Sequence, residues 1–171
     1  MQNHFELFQL PQQFAIDSTL LDKAYRDVQN QVHPDKFVSG SDAEKRVAMQ
    51  WATRANEAYQ TLRKPLMRAS YLCELNGFDL QTESNTAMPM AFLMQQMEWR
   101  EALDAARSGR NIGALQQLDA ELNSTWNDEL SEVAAQFDQT NFTAAAQGVR
   151  RLMFLDKLKH EITQLYEYLE D

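Results

Sequence analysis

Three contiguous side chains carry the most chemical potential in this 171-residue chain: His33, Pro34 and Asp35, followed directly by Lys36 and Phe37. An imidazole and a carboxylate two residues apart suit either acid–base chemistry or recognition of a charged partner. Acid–base catalysis needs both groups to converge on a substrate in a cleft, beside a nucleophile. Here Pro34 fixes the backbone between them, no nucleophile adjoins them, and they sit at a loop tip. Recognition asks for less. Asp35 can accept a charge-assisted, bidentate bond from an arginine, and His33 can donate or accept at the same surface. Pro34 keeps the turn rigid, so less ordering cost falls on binding. Lys23, Arg26 and Lys36 add a local basic edge, which an ordinary solvated face would also explain. A plainer reading of the tripeptide is a helix stop, with proline as the breaker.

Other chemistries lack their residues. His4, His33 and His160 are far apart, and no Cys or His pair has zinc-ligand spacing, so no metal is expected. The five glycines form neither a G-x-G-x-x-G nor a Walker pattern, so no nucleotide cofactor is expected. Cys73 lies in an apolar stretch and reads as a buried, inert thiol. As the single cysteine it excludes an intrachain disulfide and points to a reducing, cytoplasmic setting. Formal net charge is −9, and it is unevenly placed. Residues 1–76 hold nine basic and nine acidic side chains, whereas residues 77–171 hold seven and 16. An acidic total without a basic tract argues against nucleic acid as a partner. No apolar run reaches the roughly 18–20 residues of a membrane span, and Met1-Gln2-Asn3-His4 does not open like a signal peptide.

The elements that must hold His33 to Lys36 in place are helical. Phe5-Glu6-Leu7-Phe8, ahead of Pro11, predicts a helical turn or short helix. Asp17-Ser18 offers an N-cap, and Leu21, Tyr25, Val28 and Val32 recur on one face of a helix over 18–32. Ser41-Asp42-Ala43-Glu44 fits a capping box, and the helix it opens presents Ala48, Trp51, Ala52, Ala55, Tyr59 and Leu62. Pro65 starts another helix that buries Leu66, Ala69, Leu72 and Cys73 and stops at Asn76-Gly77. Residues 77–88 read as a linker or junction.

No proline follows Pro89. Three helices are predicted there, at about 89–107, 112–138 and from an Asn141 cap onward. Their apolar spacings of three and four describe a three-helix antiparallel bundle. No alternating strand pattern is present, so the predicted class is all-α. The first of these helices is unusual. At 100° per residue, Phe92, Trp99, Leu103 and Ala106 share one side. Met90, Leu93, Met94 and Met97 share the opposite side, with Glu101 and Asp104 extending it. One stripe suffices to join a bundle. The second must pack on the first domain or meet a partner, and methionines adapt to irregular partners.

The order of short helix, long helix, His-Pro-Asp, long helix, short helix resembles the J domain of the DnaJ class. Ala24, Tyr25 and Lys36-Phe37 fit as well. The chain has no Gly/Phe-rich linker and no Cys-x-x-Cys repeats, which J proteins of the DnaJ type carry. It is instead similar to the HscB family, J-type co-chaperones of iron–sulfur cluster assembly. The matching stretches are His33–Phe37, Pro65–Ala69, Tyr71-Leu72, Gly77–Leu80, Ala91–Met94 and Arg151–Leu158. The resemblance implies a J domain over 1–76 and a client-binding bundle over 89–171. It implies that His33, Pro34 and Asp35 meet a DnaK-class chaperone of the HscA type and speed its ATP hydrolysis, and the basic edge of Lys23, Arg26 and Lys36 is expected to join that contact. It also implies that Leu93, Met94, Met97, Glu98, Glu101 and Phe154 bind an iron–sulfur scaffold protein of the IscU type. Met97 stands where leucine is expected, and Ala105 where a further acid would fit, so binding is expected to be weaker or shifted. Two other readings stay open: a general J protein that delivers unfolded chains, and a hydrolase using His33 and Asp35.

Overall fold

A computed structural model of the chain describes residues 2–80 and 88–171. The predicted junction at 77–88 lies mostly outside them. The chain divides into two compact units, Met1–Leu75 and Asn76–Asp171. Among the described residues every regular element is a helix.

The first unit contains α1 (His4–Leu7), α2 (Ser18–Val32), a 3-10 turn (Pro34–Phe37), α3 (Asp42–Arg63) and α4 (Pro65–Leu75). Asp17 caps α2 by accepting the N–H groups of Thr19 and Leu20 at 2.9 and 3.4 Å. Ser41 caps α3 through the Glu44 N–H at 3.2 Å. These caps set where each arm of the α2–α3 hairpin begins, and so where the connecting turn falls. The arms are clamped away from that turn. Tyr25 stacks on Tyr59 with ring centroids 4.1 Å apart. The Tyr59 hydroxyl donates to Asp22 at 2.7 Å, and the Tyr25 hydroxyl to Asn56 at 3.2 Å. Leu21, Ala55, Ala58 and Leu62 are buried at this end of the hairpin. Alanine on α3 lets the two helices approach closely, because it adds little bulk between them.

Burial departs from the periodic reading nearer the turn. Val28 and Val32 are half-buried, as is Tyr25 within the clamp, and Trp51 and Ala52 are exposed although they share the apolar face of α3. Ala48 is the buried α3 residue closest to the turn. A two-helix hairpin covers only the facing side chains, and residues at the margin stay open without a third layer. Leu66 is likewise half-buried rather than buried.

The second unit contains α5 (Met90–Ser108), α6 (Ile112–Asp138) and α7 (Phe142–Glu170). Leu115, Leu118, Leu122, Val133 and Phe137 of α6 are buried, as are Val149, Leu152, Leu155, Leu158, Ile162 and Leu165 of α7. Trp126, placed on the seam by spacing, is half-buried, and the Lys159 ammonium sits 4.6 Å from its ring centroid. Gly148 marks a close approach: a Cβ there would stand 2.5 Å from the Val133 Cγ2. Gly148→Ala will therefore destabilise this unit by about 1 kcal/mol net, overpacking outweighing the helix preference of alanine. Chemical denaturation of the two proteins checks this, and an equal or higher midpoint would refute it.

The two inter-helix turns are built alike. Arg110 and Thr140 take left-handed φ values of 45° and 55°. Asn111 donates its N–H to Ala106 O and Asn141 donates to Gln136 O, both at 2.9 Å, closing Schellman motifs. Each asparagine side chain then caps the next helix through Ala114 or Ala144. One three-residue turn thus ends a helix and starts its antiparallel neighbour. A β-branched residue at positive φ is strained. Thr140→Gly will raise the stability of this unit by about 1 kcal/mol, measurable as a higher denaturation midpoint.

Candidate interaction sites

The first site is the turn between α2 and α3. His33 leaves the helix at φ −60° and ψ 137°, as a residue before proline must. Pro34 opens the 3-10 turn, and the Lys36 N–H donates to His33 O at 3.0 Å. His33 also caps the turn with its side chain: Nδ1 accepts the Asp35 N–H at 3.2 Å. That bond assigns roles to the two ring nitrogens. In the neutral imidazole Nδ1 is the acceptor and Nε2 carries the proton. Nδ1 therefore cannot also donate to the Asp35 carboxylate, whose Oδ2 lies 3.5 Å away. The pair is not arranged as a catalytic dyad. Its geometry instead orders the backbone at Asp35 and leaves the carboxylate side chain 88% exposed.

Lys23, Arg26 and Lys36 are all exposed. At 100° per residue, Arg26 falls within about 20° of His33 around α2, and Lys23 within about 80°, so the three share one side of the helix. The floor beneath the turn is not apparent from the spacing of α2 and α3. A groove of about 460 Å³ is lined by Val32, Pro34, Phe37, Val38, Lys45, Ala48, Met49 and Ala52. Val38 and Met49 are among the most exposed apolar residues of the chain. A signal for it is Met49, which is apolar but falls outside the α3 seam.

The second site is the outer face of α5. Trp99, Leu103 and Ala106 are buried on the bundle side. The Trp99 indole N–H donates to Glu121 of α6 at 3.2 Å, and Arg100 pairs with Glu161 of α7 at 3.2 Å. These contacts fix the rotation of α5 about its axis. They turn the opposite stripe outward: Met90, Met94 and Met97 are 71%, 56% and 64% exposed. Leu93 is half-buried beside them, and Glu98 and Glu101 are exposed on the same face. Asp104 is engaged locally by Arg107 at 3.3 Å. Phe154 of α7 is half-buried and reaches α5, but through Phe92. Their rings meet edge to face at 6.4 Å, and Phe92 meets Trp99 at the same distance. Phe154 thus meets α5 on its bundle side, at Phe92, rather than on the methionine stripe.

Comparison with known proteins places this arrangement. Residues 88–163 match the family described as the HSCB C-terminal oligomerisation domain. The co-chaperone protein HscB homolog of Burkholderia cenocepacia is 54% identical over 168 residues, covering 98% of this chain and 96% of that protein. This chain belongs to the HscB co-chaperone family. The chaperone HscB from Vibrio cholerae superposes with a TM-score of 0.85 at 37% identity, over 98% of this chain and 99% of that one. Human co-chaperone protein HscB superposes with a TM-score of 0.90 at 26% identity, over 96% and 82%. The HscB fold is a J domain followed by a helical bundle, and this chain has both. The His33-Pro34-Asp35 turn therefore lies in a J domain, and the chain is a co-chaperone, a non-enzymatic class. Among the described residues no helix is long and apolar enough to cross a membrane.

Proposed function

We propose that this HscB-family protein stimulates the ATPase of a DnaK-class chaperone of the HscA type and delivers an IscU-type iron–sulfur scaffold protein to it. The Asp35 carboxylate carries this reading. It is exposed and held on a turn ordered by His33 and Pro34, with Lys36 next in the chain and Lys23 and Arg26 exposed on the preceding helix. A basic side chain on the chaperone pairs with Asp35, while acidic groups meet the surrounding cations. Such complementarity speeds encounter and fixes orientation.

The client side rests on α5. A convex helix surface with an apolar stripe and acidic neighbours suits a folded partner with an apolar patch and a basic edge. An extended unfolded chain would want a groove or a free sheet edge, which favours the specific scaffold over general delivery of unfolded proteins. Carrying trigger and client in one molecule raises the effective concentration of both at the chaperone. Single-turnover ATP hydrolysis by the purified HscA-type chaperone tests the reading. Adding this protein will accelerate hydrolysis at least about tenfold. An unaltered rate at saturating concentration would refute it.

A further inference from the structure

Sulfur is distributed unevenly over this protein. The chain has eight methionines and one cysteine, and the single thiol, Cys73, is fully buried. The reactive sulfur at the surface is therefore thioether. Three of these thioethers fall within eight residues of α5, at spacings of four and three that stack them on one face. Met90, Met94 and Met97 are each more than half exposed, while Phe92 and Trp99 pack with one another on the opposite side. Met49 and Met67, exposed in the first unit, stand singly on separate helices.

We propose that Met90, Met94 and Met97 form a peroxide-sensitive modification site, whose oxidation to methionine sulfoxide releases the client from α5. This rests on the docking reading above and adds its regulation. In the step, a lone pair of Sδ attacks the distal oxygen of a hydroperoxide. The O–O bond breaks, an S–O bond forms, and the proton of the distal oxygen passes to the departing oxygen, which leaves as the alcohol, or as water when the oxidant is hydrogen peroxide. Sulfur loses two electrons and the peroxide gains them. Methionine sulfoxide reductases, drawing two electrons from a thiol reductant, reverse the change.

The consequence follows from polarity. A thioether contributes an apolar, adaptable contact. A sulfoxide brings a strong acceptor oxygen into that contact, where it must be desolvated without a donor placed to meet it. Leu93, the remaining apolar member of the stripe, is inert to peroxide, so oxidation removes part of the face at once. Delivery of an iron–sulfur scaffold would then pause under the oxidants that damage such clusters, and resume on reduction.

The test uses the full chain, hydrogen peroxide, and the purified IscU-type scaffold as the binding probe. Peptide mass spectrometry locates the sulfoxides, and titration calorimetry gives the affinity before and after treatment. Oxidation at Met94 and Met97 will weaken scaffold binding at least about tenfold, and a methionine sulfoxide reductase will restore it. In Met90→Leu/Met94→Leu/Met97→Leu the ratio of affinities before and after peroxide will stay near one, whatever affinity the variant starts from. Unchanged binding by a native chain carrying sulfoxide at both positions would overturn the inference and leave the docking reading standing. So would an equal loss in the leucine variant, or resistance of these methionines under conditions that oxidise free methionine. No scaffold binding by the untreated chain would overturn the docking reading itself, and this inference with it.

Discussion

Replacing Asp35 with asparagine will remove stimulation of the chaperone's ATPase and leave the helices folded. The side chain is 88% exposed, and its near contact is His33 Nδ1 at 3.5 Å. That nitrogen is already committed to the Asp35 backbone N–H, which the substitution keeps. Exposed substitutions of this kind usually shift stability by less than about 0.5 kcal/mol. The thermal melt and far-ultraviolet circular dichroism will therefore match the native protein. The effect falls on the complex. Breaking an interfacial charge pair costs about 2–5 kcal/mol, with much of it the penalty on the partner charge left unpaired. That lowers affinity by roughly 30-fold or more, enough to erase stimulation at ordinary concentrations. Full stimulation by a folded Asp35→Asn protein would refute the assignment.

The triple variant Leu93→Ala/Met97→Ala/Phe154→Ala will abolish scaffold binding while the J domain still stimulates the chaperone in the scaffold's absence. Fully burying each of these side chains is worth roughly 1.5–3 kcal/mol, so losing three lowers affinity by about a thousandfold or more, enough to carry a micromolar complex out of the measurable range. The cost to folding is smaller. Met97 is largely exposed, and Leu93 and Phe154 are half-buried. Phe154 gives up its edge-to-face contact with Phe92, worth about 0.5–1.5 kcal/mol. Trp99, Leu103 and Ala106 still hold α5 to the bundle. Calorimetric titration with the scaffold, beside circular dichroism of the variant, decides the matter. Native affinity would place the docking surface elsewhere.

How far these sites could be read from sequence depended on whether their residues are neighbours in the chain. His33-Pro34-Asp35 was legible because the three adjoin, and because proline ends a helix whatever surrounds it. The caps at Asp17, Ser41, Asn111 and Asn141 are local for the same reason. The outward face of α5 was legible as a stripe a bundle helix does not need. What depends on distant partners was harder to see. Periodicity put Trp51 and Ala52 on the apolar side of α3 but could not say that no third layer covers them. The tie between Phe154 and Phe92 spans 62 positions, and the family resemblance, not spacing, points to Phe154. Left-handed Arg110 and Thr140 carry no compositional mark, since neither is the glycine or asparagine such a conformation favours.

The central claim is that one chain couples a trigger to a client. The direct measurement is the steady-state ATPase rate of the HscA-type chaperone with this protein alone, with the scaffold protein alone, and with both. If the coupling holds, the rate with both will exceed the sum of the separate stimulations several-fold, because trigger and client then arrive together. Purely additive rates would contradict it, leaving a J domain and a bundle that act independently.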